Sequence, residues 1–389
     1  MAAGASRAGQ GGDAGSSPAG HRDDAASSRP AQSGKPTLMR REIAAIPAAV
    51  ERFLAEGRTE IKAAADAIRA ADPAFVVLVA RGTSDHAAIH LRYLIEAELG
   101  IPTSLAAPSV TTLYGASIRW QRGVVIAVSQ SGRSPDLVAV VEAARAAGAP
   151  TIVIANDASS PLAAAAQDVI DCRAGEERSV AATKSYVAQL AAGAALVAAL
   201  APDRALATAL PSMPDVLAAS LDAAAAAVHD HAPIVHEFAA SERSIVISRG
   251  FDFANALETA LKLKETSRLF AEGYSSADFS HGPVVLSGAG VPVLAIRPHG
   301  AAGPAVDEGI EAARAAGSDP WQIGGQDGLS DWRVNEGHRI VLPLPVDLPP
   351  GLAPLATILP GQLLAEAVAR RRGYDPDAPA GLSKVTLTR

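Results

Sequence analysis

One strand-turn-helix unit restricts the possible folds of this chain more than any other feature of its sequence. Residues 124–128 are consecutive apolar residues, most of them β-branched, and polar residues follow at once. Such a run is typical of a strand buried on both faces of a parallel sheet. The next helix would be capped by Ser134, begin with Pro135 and stop at Gly148. The unit therefore predicts an α/β fold built on a parallel sheet.

Strands and helices alternate through the first half of the chain. Apolar periodicity predicts helices over 39–57, 59–71, 85–99, 136–148 and 183–201, and strands over 75–79, 104–106, 124–128, 151–155 and 168–172. This alternation is typical of a doubly wound parallel sheet with helices on both faces. Residues 1–36 are polar and rich in Ala, Gly and Ser, and we predict that they form a disordered extension.

A near-repeat indicates that the strand-turn-helix pattern starts again. Arg81-Gly82 closes one predicted strand, and Arg249-Gly250 closes another 168 positions later. The same offset aligns Ser129-Gln130-Ser131-Gly132 with Arg297-Pro298-His299-Gly300, so the second copy keeps the glycine and lacks the serines. We predict two tandem domains, each a three-layer αβα sandwich, over residues 37–210 and 211–389. A chance similarity of two such units is the alternative.

Composition excludes several classes of function. The net charge is −7 and no long basic run occurs, which argues against nucleic acid or an anionic membrane as partner. No window approaches the roughly 20 apolar residues of a membrane span. Cys172 is the only cysteine, which excludes an internal disulfide and a thiolate metal cluster, and the nine histidines show no ligand spacing. We expect a cytoplasmic protein without a metal or cofactor.

Hydroxyl-rich turns follow several of the predicted strands. In an open α/β sheet the ligand lies beyond the carboxyl ends of the strands. The residues expected there are Gly82, Thr83 and Ser84, then Ser129, Gln130, Ser131 and Ser134, and the segment 174–184. Backbone amides and a helix start beside such serines fit a phosphate group. The alternative is that these serines only cap ordinary turns.

The second half of the chain offers three ionisable candidates. In a predicted helix over 254–269, an apolar stripe becomes charged, and its members are Leu257, Ala260, Leu261, Lys264, Glu265 and Arg268. Glu265 could be a general base in a cleft, or the helix end could emerge into solvent. His281 could shuttle a proton or be an ordinary loop residue. Lys384 lies in a proline-rich segment where a surface lysine is equally possible.

These motifs together resemble the sugar isomerase (SIS) domain family. They are the serine-rich turn, the repeated Arg-Gly strand ends, the Leu261–Glu265 segment, His281-Gly282-Pro283 and the lysine near the C-terminus. The resemblance covers residues 39–389 and is to the isomerase half of glutamine:fructose-6-phosphate amidotransferases and their shorter relatives. It implies a tandem SIS-domain fold and a phosphosugar substrate.

Within the family, the chain is most similar to the type II glucosamine-6-phosphate deaminases. This similarity lies in the segments 82–87, 107–110, 131–136, 174–177, 181–186 and 379–386. The amidotransferases usually carry Ala-Ser-Thr-Lys where this chain has Ala181-Ala182-Thr183-Lys184, so a substrate hydroxyl contact would be lost. Their glutaminase domain has no counterpart in this sequence and Cys172 cannot replace its cysteine. We therefore expect that glutamine is not the nitrogen donor.

The resemblance also implies roles for individual residues. The phosphate site corresponds to Ser129, Gln130, Ser131 and Ser134, and the residues lining the sugar correspond to Gly82, Thr83, Ser84, Val180 and Ala182. Glu265 corresponds to the proton-transfer residue, His281 to the ring-opening residue, Lys262 to a neighbouring active-site residue and Lys384 to the lysine of the C-terminal tail. Members of the family pair as homodimers in which the histidine reaches the adjacent subunit's site.

The resemblance therefore implies conversion of glucosamine 6-phosphate and water to fructose 6-phosphate and ammonia. Galactosamine 6-phosphate or another aldose phosphate is an alternative substrate, and ammonia-dependent synthesis of glucosamine 6-phosphate is an alternative direction. A sugar-phosphate-sensing regulator is the non-enzymatic alternative. Such a regulator would need the serine turn but could dispense with Glu265, His281 and Lys384, all of which are present.

Overall fold

The first half of the chain forms a parallel five-stranded sheet in a computed structural model that describes residues 35–326 and 334–384. Its strands are β1 (Phe75–Val79), β2 (Thr103–Leu105), β3 (Gly123–Ser129), β4 (Thr151–Ala155) and β5 (Asp168–Asp171). The helices in this half are α1 (Leu38–Ala44), α2 (Ile46–Glu56), α3 (Arg58–Ala71), α4 (Thr83–Leu94), α5 (Pro108–Thr112), α6 (Pro135–Ala146), α7 (Pro161–Ala165), α8 (Lys184–Leu200) and α9 (Ala205–Ala209).

The second half forms another parallel five-stranded sheet. Its strands are β6 (Arg243–Ser248), β7 (Phe270–Ser275), β8 (Val293–Ile296), β9 (Trp321–Gly325) and β10 (Arg339–Leu342). The helices are α10 (Met213–Ala227), α11 (Pro233–Ala240), α12 (Phe253–Ser267), α13 (Ser276–Ser280), α14 (Gly303–Ala315), α15 (Pro354–Thr357) and α16 (Leu359–Arg371). Among the described residues, no helix is both long and apolar enough to cross a membrane.

The two sheets repeat one topology. Their strand orders are β2-β1-β3-β4-β5 and β7-β6-β8-β9-β10. Val77 of β1 pairs with Val125 of β3, and 168 positions later Ile245 of β6 pairs with Val293 of β8. The 168-residue offset that relates the two halves of the sequence therefore also relates the paired residues of the two sheets. The predicted fold class, an α/β protein with two tandem parallel sheets flanked by helices, is confirmed.

A layer of helices between the sheets belongs to one core shared by both. Val76 and Ile126 on one face of the first sheet belong to the same buried cluster as Val246 and Leu294 of the second sheet. The outer face of each sheet has a smaller cluster of its own, under α6 on the first sheet and under α14 on the second. The predicted sandwiches therefore share their central layer. The domain boundary between residues 210 and 211 stays a prediction.

Two predicted helices differ from the observed ones. The helix predicted over 39–57 is two helices that meet at Ala45, because Pro47 lacks an amide hydrogen and is accommodated only in a first turn. The helix predicted over 85–99 begins earlier, at Thr83, and its last turn is a π-helix, Ile95–Leu99. The predicted disordered extension lies outside the described residues except for its last two.

A buried polar cluster joins the two halves of the fold. The Tyr186 hydroxyl donates to Asn255 Oδ1 (2.8 Å), and Asn255 Nδ2 donates to Thr357 Oγ1 (2.8 Å) and to Asp252 Oδ1 (3.3 Å). Asp252 Oδ2 is buried and accepts no hydrogen bond. Burial raises the pKa of Asp252 to about 7, although hydrogen bonds from Thr357 and Asn255 act in the opposite direction.

Replacing Asp252 with asparagine should remove a pH-dependent loss of stability. Below about pH 3 the wild-type carboxyl is protonated in both folded and unfolded chains, because the ordinary pKa of the group is 3.8. As the pH rises towards 7, the unfolded chain releases the proton while the folded protein keeps it, so stability is lost. The free energy of unfolding of D252N minus that of the wild type should rise by roughly 4 kcal/mol at most between pH 4 and pH 8.

Urea denaturation of both proteins across this pH range measures the difference. Burial also lowers the pKa of His90 to about 4, which has the opposite effect on stability between pH 4 and pH 6.5. His90 is present in both proteins, so its contribution cancels in the difference. A difference that stays constant with pH would show that Asp252 is ionised in the folded protein throughout.

Candidate active site

A cavity of about 320 Å³ opens at the carboxyl ends of β1 and β3. These strands are neighbours in the sheet, and the helices that follow them lie on opposite faces: Leu91 of α4 is in the central core and Leu137 of α6 is in the outer one. Strand order reverses at this point. Open α/β sheets bind ligands in the crevice formed there.

Residues distant in sequence line this cavity. The first half of the chain contributes Arg81, Gly82, Thr83, Ser84, Ser129, Gln130, Ser131, Ser134, Leu137, Val180 and Ala182. The second half contributes Lys262, Glu265, Leu382, Ser383 and Lys384. The structure thus brings together every residue that was predicted individually for the site except His281, whereas of the segment 174–184 only Val180 and Ala182 line the cavity. The chemical roles of these residues remain predictions.

The serine turn is held by its own hydroxyls. Ser129 Oγ accepts a hydrogen bond from the Gly132 amide (3.0 Å), and Ser131 Oγ accepts one from the Arg133 amide (3.4 Å). Ser134 occupies the N-cap position of α6, but its side chain makes no capping hydrogen bond. Its hydroxyl can therefore serve a ligand, whereas Pro135 has no amide hydrogen and the Leu137 amide donates to Asp136 Oδ1 (3.0 Å). Hydroxyl donors at a helix N-terminus suit a phosphate group.

Replacing Gly132 with alanine should disrupt this turn. Gly132 has a φ of +62°, and an added Cβ would lie 2.0 Å from the Ser160 hydroxyl oxygen. The left-handed backbone alone costs a non-glycine residue roughly 1–2 kcal/mol. We expect a lower melting temperature and weaker binding of a phosphosugar, measured by calorimetry. Gly148→Ala is the control, because Gly148 also has a positive φ (+81°) but an added Cβ would meet nothing within 4 Å. Equal phosphosugar affinity in the two variants would contradict the prediction.

A buried lysine joins two carboxylates on α12. Lys262 Nζ donates to Glu265 Oε2, lies 3.5 Å from Glu258 Oε1 and donates to Thr83 Oγ1 (3.1 Å). Burial lowers the pKa of Lys262, but the charges of Glu258 and Glu265 outweigh burial and the net pKa is raised. Lys262 therefore stays an ammonium group, and it fixes the Glu265 carboxylate at the cavity wall.

The charged face of α12 differs from the predicted one. Lys264 is exposed and pairs with Glu272, and Arg268 is the left-handed residue that ends the helix. Leu257 and Leu261, predicted to face the core, are only half-buried. The buried face instead carries Glu258 and Lys262. Glu265, whose side chain is 25% exposed, lies on the same side of the helix, because spacings of four and three residues align these positions. Glu258 was missed, although this spacing indicates it.

The tail lysine is anchored by the loop that follows β5. Lys384 Nζ donates to Ser179 O (2.7 Å) and to Glu177 Oε2 (3.0 Å). Glu177 also accepts hydrogen bonds from the amides of Thr183 and Ser185 at the start of α8. Burial raises the pKa of Glu177, but Lys384 and these amides outweigh it and the net pKa is lowered. Glu177 belongs to a motif recognised from the sequence, residues 174–177, but no role was predicted for it.

Two further side chains complete the description of the site. His281 is exposed in the turn after α13 and does not line the cavity of its own chain. Arg81 lines the cavity and forms an ion pair of 2.9 Å with Asp136 in the first turn of α6. From the sequence, Arg81 was recognised only as part of the repeat. Over residues 35–326 and 334–384, no group of three His, Cys, Asp or Glu side chains is arranged to hold a metal ion.

Comparison with known proteins identifies a family for the half of the chain that contains the first sheet. A family model of the SIS domain matches residues 71–199, which contain the first sheet. The crystal structure of a candidate phosphosugar isomerase from Silicibacter pomeroyi DSS-3 is 39% identical, with a TM-score of 0.78 over 88% of this chain and 100% of that one. The chain belongs to the SIS family.

Other relatives of this SIS protein carry more specific names. It is 36% identical over 329 residues to a glutamine–fructose-6-phosphate aminotransferase (isomerizing) from Gloeobacter violaceus, a match of 81% of this chain and 52% of that protein. The chain thus spans about half the length of the curated relatives it matches. A glucosamine-6-phosphate deaminase from Thermotoga maritima shares the fold, with a TM-score of 0.70 and 19% identity over 90% of this chain and 100% of that one.

Proposed function

We propose that this SIS protein is a phosphosugar isomerase whose reaction is the deamination of glucosamine 6-phosphate to fructose 6-phosphate and ammonia. The observation that carries the proposal is that Glu265 and Lys262 line the same cavity as the serine turn around Ser129 and Ser131. Fructose 6-phosphate and glucosamine 6-phosphate also occur in the names of two similar proteins.

The serine turn would act on the unreactive end of the substrate. Hydroxyls of Ser129, Ser131 and Ser134 and the N-terminus of α6 would bind the phosphate. Arg81 would contribute positive charge at the same wall of the cavity. Binding at this remote end positions the first two carbons against the α12 carboxylate, which lowers the entropic part of the barrier.

Proton transfer between adjacent carbons would be the central chemical step. After His281 opens the pyranose ring, Glu265 removes the proton from C2 of the aldehyde form, and the electron pair moves to give an enolamine. Protonation at C1 by the same carboxyl gives a ketose imine at C2. Water adds to this imine and ammonia leaves, so that one water is consumed for each ammonia released. One carboxyl can serve both carbons because they are bonded neighbours.

The two lysines would support this step in different ways. Lys262 holds Glu265 by a direct hydrogen bond and keeps its carboxylate at the cavity wall. Lys384 lies at the same cavity, where its ammonium group would stabilise negative charge on the substrate oxygen or form an imine with the keto sugar. Ala182 lines the cavity without a hydroxyl, which supports deamination over the amidotransferase reaction.

Ammonia release from purified protein tests the proposal. Glucosamine 6-phosphate and galactosamine 6-phosphate are supplied in parallel, and fructose 6-phosphate is measured with a coupled assay. We expect ammonia release from glucosamine 6-phosphate. Faster release from galactosamine 6-phosphate would make that sugar the substrate, with the same deamination reaction. Net synthesis from fructose 6-phosphate and ammonia that exceeds the deamination would reverse the assigned direction. Tight binding of both sugars without any release would favour a regulator.

A homodimer is part of the proposal, because His281 does not reach the cavity of its own chain. The segment that follows His281 exposes the apolar side chains of Val285 and Leu286, which suits contact with a second copy. In the proposed dimer, His281 of one subunit acts at the cavity of the other.

Mixing two inactive variants tests this arrangement. A dimer of one Glu265→Gln chain and one His281→Ala chain has one site with both residues intact if His281 acts across the interface. After subunit exchange, the mixture should regain about a quarter of wild-type activity, since half of the dimers are mixed and each has one intact site. If His281 acts within its own chain, the mixture stays inactive.

A further inference from the structure

His86 lies behind the cavity and is connected to it by a buried carboxylate. It is on α4, does not line the cavity, and its Nδ1 is 2.7 Å from Glu258 Oε2. The side chain of Glu258 is fully buried and that of His86 is 16% exposed. An ionised carboxylate can only accept hydrogen bonds, so the chemistry assigns a hydrogen to His86 Nδ1.

Glu258 connects His86 to residues of the cavity wall. Its Oε1 accepts a hydrogen bond from Thr83 Oγ1 (3.1 Å) and lies 3.5 Å from Lys262 Nζ. Lys262 in turn donates to Glu265, which lines the cavity. A continuous chain of contacts therefore runs from the imidazole through one carboxylate and one ammonium to the proposed base.

The charges in this chain explain why the imidazole matters. Two carboxylates share the single positive charge of Lys262, and a buried acceptor without a donor is costly. Asp85, beside His86 on α4, and Tyr186, near Glu258, add no positive charge to this pair. If His86 did not donate to Glu258, that carboxylate would draw Lys262 towards itself and away from Glu265.

We propose that His86 is a positioning residue for the reaction at Glu265. By donating to Glu258, the imidazole satisfies that carboxylate, so that the Lys262 ammonium remains shared with Glu265 and holds it at the cavity wall. This inference rests on the proposed function, because it assigns Glu265 as the base. It predicts a defect in kcat and not in substrate affinity, since His86 does not line the cavity.

Two substitutions at His86 separate hydrogen bonding from bulk. His86→Leu fills a similar volume but cannot donate, whereas the amide nitrogen of His86→Asn can occupy the place of Nδ1 and donate. We expect H86L to lower kcat about tenfold or more with little change in KM, and H86N to recover most of the loss. Asp85→Asn is the control, because Asp85 is on the same turn of α4, whereas the side chains that hydrogen-bond to Glu258 are those of Thr83 and His86.

Solvent deuterium incorporation gives a readout that a purely structural role would not change. The rate at which the C2 hydrogen of the sugar exchanges in heavy water should fall in H86L, follow kcat in H86N and stay at the wild-type level in D85N.

The outcomes distinguish the two proposals. If the wild-type protein releases no ammonia and exchanges no hydrogen, the proposed function fails and the inference fails with it. If the wild type is active and H86L keeps its kcat and its exchange rate, only the inference is overturned. If H86L does not fold, H86A takes its place, and loss of kcat in H86A without rescue in H86N also overturns the hydrogen-bonding role.

Discussion

Replacing Glu265 with glutamine lowers kcat by about 10²- to 10⁴-fold, the usual contribution of a general acid-base group, while substrate still binds. Glutamine keeps the size of the side chain and an oxygen that can accept from Lys262, so the helix should remain folded. What is lost is the ability to carry a proton between C2 and C1. Ammonia release and deuterium exchange at C2 should therefore fall together, with a similar dissociation constant measured by calorimetry.

Glu272→Gln is the matched control for this variant. Glu272 is also a carboxylate that pairs with a lysine of α12, since its Oε1 lies 3.5 Å from Lys264 Nζ, but it does not line the cavity. Its substitution should leave kcat and KM at wild-type values. If E265Q kept kcat within about threefold of the wild-type value, Glu265 would be excluded as the base, and a different residue would have to carry the proton.

Replacing Lys262 with methionine should lower both the stability and the activity of the protein. The ammonium group is buried between Glu258 and Glu265, and its removal leaves two carboxylates without a cation. Breaking a buried ion pair by removing one partner typically costs about 3–5 kcal/mol. Urea denaturation should show a loss of this size in the free energy of unfolding, and kcat should fall because Glu265 is no longer held.

Two further variants test whether the stability lost in K262M comes from the missing charge of Lys262. Lys264→Met removes an exposed lysine from the same helix and should change the free energy of unfolding by about 0.5 kcal/mol or less. Glu258→Gln combined with Lys262→Met should be less destabilised than the sum of the two single variants, because the double variant leaves one carboxylate fewer unpaired. Strict additivity would mean that the pair does not interact.

The serine turn shows which part of the site was predictable from sequence. A buried strand followed by Ser, Gly and Pro specifies the strand end and the helix start through local backbone chemistry, and Pro135 is the first residue of α6. Parallel strands then carry such turns to one edge of the sheet. The repeat likewise predicted the second sheet, because an equal offset in sequence preserves strand pairing.

Helix α12 shows why other parts were not predictable. Periodicity analysis assigns the apolar side of a helix to the core, but this helix lies between two sheets and buries the polar residues Asn255, Glu258 and Lys262. Their partners are distant in sequence: Tyr186 for Asn255, His86 for Glu258 and Thr83 for Lys262. Nothing local in the sequence specifies such pairs, and only the folded chain brings them together.

The shared offset of strand pairing also bears on ancestry. Two sheets with the same strand order and the same register of their central pair are what duplication of a single gene would produce. In the second copy, Arg297 at the counterpart of the serine turn forms an ion pair with Asp307 of α14. The present cleft joins the serine turn of one copy to helix α12 of the other. A chain with a single copy would lack one of these two walls, so the cleft depends on both halves of the chain.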